Sequence, residues 1–479
     1  MGFVIKFVLS CLPFLLFISC SINPVSGNQD FVLFSEEREI EIGRSLSSQV
    51  IQQVGLYNDK ELQIYVEKVG NSLADISHRT NLVYRFLVLD SPDVNAFALP
   101  GGYIFLNRGL MSYLTNEQEL AAVLGHELGH VTARHSITKA SKAQLFDILT
   151  YAVGTRVGST VSNLTSMMSG VLLAGYGREQ ELEADSLGAE YMSQVGYSSQ
   201  GMLDTISILK EHELYSKNVE ERRGVKPQTY HGVFSTHPSN DKRLQEIILL
   251  TGDRPSSTSR IMNESYLWRI DGMVYGDSYS SGIRRKNNFY HGELDFYLRS
   301  PKGWEIINTP NNLIFNSPKG AASISMDVID QNKKETPTQY LNNVFPEQIL
   351  EEKSLKLDNY PGSTAILIQG LEKSRVAVIF KDKKIFRFFG TSKKELNGNE
   401  NYDKTFLSII YSFRSLLEKE KLLAETLKIK IYRVDENDTY SSLAKHSPIP
   451  FDPESQLRLL NGDFPEGKLE AGKLIKLVK

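Results

Sequence analysis

The stretch from Thr115 to His135, TNEQELAAVLGHELGHVTARH, restricts what this chain can fold into more than any other part. Leu120, Val123, Leu124, Leu128 and Val131 recur at spacings of three and four, so the stretch reads as one amphipathic helix with an apolar stripe along one side. Thr115 is placed to cap its start, with Gln118 completing a capping box. Within the helix lies His126-Glu127-Leu128-Gly129-His130. Residues four apart stand about 40° from each other around a helix axis, so both imidazoles can reach one metal ion. Glu127 is close enough to hold a carboxylate beside a water in the metal's open position. Zinc with an adjacent base lowers a water's pKa to roughly 7 and makes a nucleophile for an amide carbonyl. The plain alternative is a surface helix with two chance histidines, which requires histidine, glutamate and spacing to coincide.

With 479 residues, the chain has room for two or three domains, each with its own core. Hydrophobic residues at 41% and charged residues at 23% are ordinary for a globular protein. A net charge of -3 gives no general reason to expect nucleic acid as a partner. Cysteine occurs only at Cys11 and Cys20, which excludes a disulfide framework.

Met1 to Ser19 has one basic residue, Lys6, followed by a mostly apolar run from Phe7 to Ile18. That run is too short to span a bilayer comfortably and fits a secretory signal. Phe17-Ile18-Ser19-Cys20 resembles a bacterial lipobox, in which the cysteine becomes the lipidated first residue of the mature chain. An ordinary signal peptide cleaved nearby is the competing reading. Lipidation is favoured because cleavage there leaves Cys20 as the only thiol in an oxidising compartment, where an unpaired thiol is a liability.

Helical periodicity marks Ser35–Val54 and Asp59–Ile76, with Ser35 and Asp59 as caps. Leu82–Leu89 reads as a strand, and Asn95–Leu106 as a turn followed by a strand through Tyr103, Ile104 and Phe105. A strand just before the histidine helix is placed to hold an extended peptide at a sheet edge, although a plain core strand fits the sequence equally. The segment 143–176 is apolar, rich in Gly, Ser and Thr, and broken by Arg156. It lacks an uninterrupted apolar run long enough to cross a membrane and reads as a mobile helical cover.

Arg178–Asp185, REQELEAD, opens a helix that runs to about Val195. Glu181 and Asp185 lie four apart on one face, while Glu183 points elsewhere. One of the pair can complete a His-His-carboxylate zinc site, and the other can fix a ligand histidine from behind. Acidic residues at a helix start also suit the dipole, which explains some of these charges without a metal. His135, five residues past His130, faces away from the metal and reads as structural. His78, His212, His231, His291 and His446 carry no ligand spacing.

These motifs resemble the HtpX-like family of zinc metallopeptidases, gluzincins related to the CAAX prenyl endopeptidases, over about Cys20 to Leu250. The resemblance implies that His126, His130 and Glu181 hold one zinc ion per chain. It also implies that Glu127 is the general base and that Asp185 orients the ligand shell. NAFALPGG, Asn95–Gly102, resembles the family's edge strand, and NPVSG, Asn23–Gly27, resembles its lipoprotein members. Ser235-Thr236-His237-Pro238-Ser239, with Arg243 following, resembles a loop of periplasmic members whose histidine approaches the zinc. His237 thereby inherits an autoinhibitory role at the open zinc position. Oxyanion stabilisation and an ordinary solvated loop histidine are the alternatives.

Beyond the motifs, Thr251–Asn288 is polar and reads as a connector. Gly292–Ile329 alternates like strands, with Pro301-Lys302-Gly303 and Pro318-Lys319-Gly320 as turns. Val376–Phe380 and Ile385–Phe389 form a hairpin, and Asp403–Leu417 a helix with Phe406, Ile409, Ile410 and Phe413 inward. The C-terminal stretch runs strand, helical stretch, strand. It resembles a degenerate LysM module, the peptidoglycan-binding βααβ unit, with Asn437-Asp438-Thr439 where GDT is usual and Asn461 at the module's asparagine. A terminal packing domain fits equally.

The expected fold is α+β. A signal peptide at 1–19 precedes a mainly helical zincin-type protease domain with a small sheet at 20–255. A connector at 256–289, a small α+β domain at 290–418 and a LysM-like module at 428–479 follow. The expected function is a zinc endopeptidase of the bacterial cell envelope, acting on misfolded or unassembled envelope proteins. It is anchored through lipidated Cys20 and faces the periplasm, with peptidoglycan as a further partner. Ser21 lacks the aspartate of inner-membrane retention, which by analogy points to the outer membrane. The rival is a chaperone-like lipoprotein whose zinc is structural. Three protein ligands plus a base favour the enzyme, since structural zinc sites usually close with four protein ligands.

Overall fold

The computed structural model describes residues 20–22, 24–25, 27, 29–142, 175–222, 259–309, 311–369, 372–393 and 402–479. The chain divides into two compact units, Met1–Met273 with Lys428–Lys479, and Val274–Leu427. Both mix α and β structure around small sheets.

In the first unit, β1 (Cys20–Ile22) pairs antiparallel with β2 (Gln29–Phe31). Helices α1 (Glu36–Val54) and α2 (Lys60–Ala74) start at their expected caps, Ser35 and Asp59, whose side chains accept from the amides of Arg38 and Leu62. Strands β3 (Arg85–Leu89), β4 (Ala96–Leu99) and β5 (Tyr103–Asn107) form a sheet in the order β3-β5-β4. The strand just before the histidine helix, β5, is therefore central, parallel to β3 and antiparallel to β4. The sheet edge on this side is β4, inside the NAFALPGG stretch expected as an edge strand, and of the two readings of the strand through Tyr103 the structure takes the core one.

Helix α3 (Arg108–Tyr113) follows β5 directly, and a tight turn leads into α4 (Glu117–Thr132), which carries HELGH. The N-cap of α4 is Asn116, whose Oδ1 accepts from the Glu119 amide at 3.0 Å. Glu119, rather than Gln118, reaches back to the amide and hydroxyl of Thr115. A carboxylate in the first turn also suits the positive end of the helix, while Gln118 accepts from the Ser198 amide instead. The helix is apolar-striped in sequence but enclosed on every side, with all residues from Gln118 to Thr132 buried. At its far end Arg79 donates to the Val131 carbonyl at 3.1 Å and to Glu39 at 2.8 Å, and Arg134 donates to the same carboxylate at 2.9 Å. That buried cluster pins the C-terminus of α4 to α1.

Helix α5 (Arg178–Gln194) lies along α4 with backbones in contact. A Cβ on Gly129 would stand 2.9 Å from the Ala184 carbonyl oxygen, and one on Gly188 2.9 Å from the His126 nitrogen. Glycine weakens a helix, and here it allows an approach that no side chain permits. Helix α6 (Gln200–Arg222) also packs on α4. Helix α7 (Ser259–Arg269) lies within the stretch expected as a connector, and buried Tyr266 and Leu267 make it part of the core.

The second unit opens with a meander of β6 (Ile283–Arg285), β7 (Asn288–His291) and β8 (Phe296–Arg299). A seven-stranded antiparallel sheet follows, built from β9 (Glu305–Asn308), β10 (Leu313–Asn316), β11 (Ala322–Asp330), β12 (Ile349–Leu357), β13 (Tyr360–Gln369), β14 (Glu372–Lys381) and β15 (Lys384–Ser392). Their order is β9-β10-β11-β15-β14-β13-β12. Period-two alternation sorts its side chains. Phe386 and Phe388 enter one core with Phe406 and Ile409 of α9 (Asp403–Ile410), while Ile385, Val376 and Val378 enter the other with Leu341 of α8 (Pro337–Val344). Asp382 and Lys383 take positive φ in the expected β14–β15 turn.

The chain then returns to the first unit through β16 (Leu427–Arg433), α10 (Tyr440–Ala444), α11 (Pro453–Leu460) and β17 (Leu474–Val478), with β16 and β17 antiparallel. Among the described residues no helix is long and apolar enough to cross a membrane.

The contact between α4 and α5 yields a direct expectation. Gly188→Val forces the backbones apart, an overpacking that costs about 1–3 kcal/mol. A calorimetric scan of the variant should show a Tm several degrees lower, together with weaker zinc binding. Wild-type values of both contradict the close-contact account.

Candidate metal centre

Three donors converge where α4 meets α5. His126, His130 and Glu181 are all buried, and one ligand atom from each lies within 4.8 Å of the others. The two Nε2 atoms are 3.1 Å apart, and the Glu181 carboxylate oxygens stand 3.6 Å from His126 Nε2 and 3.5 Å from His130 Nε2. The i, i+4 spacing turns both imidazoles to one side of α4, and Glu181 faces them from the first turn of α5. Two imidazole nitrogens and one carboxylate form a donor set suited to zinc with a position left over.

The opposite ring nitrogens are also engaged, which fixes how each histidine presents itself. His126 Nδ1 lies 2.8 Å from Asp185 Oδ1. An Nδ1–H donated to that carboxylate leaves the Nε2 lone pair directed into the site. His130 Nδ1 lies 2.8 Å from His135 Nδ1, and His135 Nε2 lies 3.1 Å from Glu183 Oε2. One assignment satisfies the whole chain: His130 donates to His135, His135 donates to Glu183, and His130 Nε2 is left as an acceptor. His135 and Glu183 thus back the second histidine as Asp185 backs the first. This corrects two expectations, that His135 is merely structural and that Glu183 points elsewhere. A straight helix would carry His135 away, but α4 ends at Thr132 and Arg134 takes φ 58°, which swings His135 back. Tyr176 stacks on the His130 ring with centroids 3.9 Å apart, and its hydroxyl meets Ser136 Oγ at 2.6 Å.

Glu127 is buried and lines a cleft with His126 and Asp185. The rest of that cleft is mainly apolar, lined by Leu110, Val123, Met202, Ile206, Leu209 and Ala96 of β4, with the hydroxyl-bearing Thr205 among them. Asp185, Glu181, His126, Glu127 and His130 are thus brought together. His237, its loop, and positions 143–174 of the expected cover lie outside the described residues.

His135→Ala removes the acceptor that orients His130. Loss of such an outer partner typically weakens metal binding by about 10–100-fold. Competition with a chelator of known affinity should show a loss in that range for His135→Ala and a similar one for Asp185→Asn. An unchanged zinc affinity in His135→Ala would mean that the chain of bonds through Glu183 does not act on the site.

Residues 58–249 match the family described as peptidase family M48. The chain is similar to the beta-barrel assembly-enhancing protease of Escherichia coli K12, with 28% identity over 235 residues, covering 47% of this chain and 46% of that protein. It is also similar to the mitochondrial metalloendopeptidase OMA1 of Saccharomyces cerevisiae, with 27% identity over 256 residues, covering 49% of this chain and 72% of that protein. The chain thus spans about half the length of the beta-barrel assembly-enhancing proteases it matches. Among solved structures, cyanobacterial PsbP from Synechocystis aligns to 29% of this chain and 98% of its own at a TM-score of 0.22 and 12% identity, too low to assign a fold. The stretch that matches peptidase family M48, residues 58–249, is thus the one in which His126, His130 and Glu181 converge as a candidate metal site.

Proposed function

We propose that this chain is a zinc-dependent endopeptidase in which His126, His130 and Glu181 hold the metal and Glu127 is the general base. The observation that carries the reading is the convergence of three buried donors beside the buried Glu127 carboxylate, which lines a mainly apolar cleft. Zinc, when bound, supplies a Lewis acid for the scissile carbonyl and lowers the pKa of a water. Glu127 takes the proton of the attacking water and passes it to the leaving amide nitrogen. Asp185 and His135 keep both ligand imidazoles turned inward. An extended peptide added along β4 gains main-chain hydrogen bonds and offers a side chain to the cleft lined by Leu110, Val123, Ile206 and Leu209. Cleavage beside an apolar residue follows. Against the rival of a structural zinc, the convergent set among the described residues is three, not the four that close a structural site.

For the wider role the support is sequence resemblance. The protein is assigned to the bacterial envelope, anchored by lipid at Cys20, facing the periplasm and placed at the outer membrane. Its substrates are misfolded or unassembled envelope proteins, a class in keeping with the name of the beta-barrel assembly-enhancing relatives. The 428–479 segment is assigned a peptidoglycan-binding role. His237 is assigned to the zinc's open position as a restraint on turnover.

Glu127→Gln should keep one equivalent of zinc and lose casein or peptide cleavage by about 10²–10⁴-fold. Equal cleavage by the variant and the wild type removes the enzymatic assignment. His237→Ala should raise peptide turnover. A fall of about 10²–10³-fold would instead make His237 an oxyanion donor.

A further inference from the structure

Lys476, on β17, is fully buried and has no part in the chemistry above. Its Nζ donates to the carbonyl oxygens of Ser112 at 2.8 Å and Leu114 at 2.6 Å, at the end of α3. A helix end leaves such carbonyls without intrahelical partners, and a cation there also meets the negative end of the helix. Across the same turn, the buried Glu119 carboxylate accepts from Thr115 and Asn116 at the start of α4. Burial draws the Lys476 pKa down, and the charge of Glu119 opposes that shift.

The strand that delivers Lys476 is itself fixed. Asn461, at the end of α11, donates to the Lys476 carbonyl at 2.9 Å and accepts its amide at 2.7 Å. Leu459 and Phe464 pack with Tyr215 of α6, and Tyr113 of α3 packs against them. From α7, the Tyr266 hydroxyl donates to the Met111 carbonyl at 2.7 Å. The turn between α3 and α4 is therefore gripped by the C-terminal segment and α7 together. From that turn His126 and Glu127 lie about 15 Å along the helix.

We propose that Lys476 is a positioning residue of the peptidase, and that the 428–479 segment is a working part of it. Lys476 fixes the start of α4 and, through the helix, the placement of His126, Glu127 and His130. The kinetic part of this inference rests on the endopeptidase reading, whereas the metal-site part does not.

Lys476→Met keeps most of the side-chain volume and removes the donors to the Ser112 and Leu114 carbonyls. Well below its melting temperature the folded variant should show kcat reduced about 10-fold or more, with KM within about twofold, because small misplacements of reacting groups are costly. With Co²⁺ in place of zinc, its visible absorption should shift in position and intensity from that of the wild type. Loss of stability alone would move neither readout. Wild-type kcat and a wild-type cobalt spectrum in Lys476→Met make the segment passive packing and overturn the proposal. If that variant fails to fold, Lys476→Gln, which keeps a donor near the Ser112 and Leu114 carbonyls but shortens the reach and removes the ammonium group, decides by the same readouts. A changed cobalt spectrum supports the proposal, and an unchanged spectrum with unchanged kcat overturns it. If the wild type cleaves no peptide, the endopeptidase reading fails, and the cobalt comparison still decides the role of Lys476.

Discussion

The metal centre rests on the approach of two helices until their backbones touch. Gly125 and Gly129 of α4 face Ala184 and Gly188 of α5, and no larger side chain fits between them. That contact sets the separation at which Glu181 comes within 3.6 Å of His126 and 3.5 Å of His130. It also brings Asp185 to the back of His126 and Glu183 to the outer nitrogen of His135. Packing and chemistry are therefore one constraint, because a donor set spread over two helices is only as well placed as the helices are close.

A helix enclosed on all sides must still satisfy its polar ends, and here each end meets a buried charge. Arg79 takes the Val131 carbonyl at the C-terminus, backed by Glu39 and Arg134. At the N-terminus Glu119 holds the cap, and Lys476 holds the carbonyls just before it. Buried charges like these add little net stability over apolar packing, but removing one partner strands the other. Their effect is to define one register and tilt for α4. The helix that carries His126, Glu127 and His130 is thus held at its ends by residues far from it in sequence, on α1, in the segment after α2, and on the last strand.

How far the site can be read from the sequence follows from how local its parts are. His126, Glu127 and His130 share one helical turn, and Glu181 and Asp185 another, so spacing alone identifies them. The caps Ser35 and Asp59 are equally local and are found in place. His135 is misread because a straight helix is assumed past Thr132, whereas the positive φ of Arg134 turns the chain back. Its partner Glu183 is lost with it. The central place of β5 and the edge place of β4 depend on strand order, which alternation does not encode. Lys476 carries no pattern at all. It reads as one more strand lysine, and only the return of the chain to the first unit buries its amine.

The most direct test of this account is the zinc affinity of the purified protein beside that of Glu181→Ala, measured by competition with a chelator. Glu181 is the one donor that α5 must deliver to α4. The expected result is one tightly held equivalent in the wild type and a loss of more than about 100-fold in the variant, beyond what an outer partner alone accounts for. Equal affinity in the two proteins would contradict the account, since the metal would then be held without the helix contact around which the site is built.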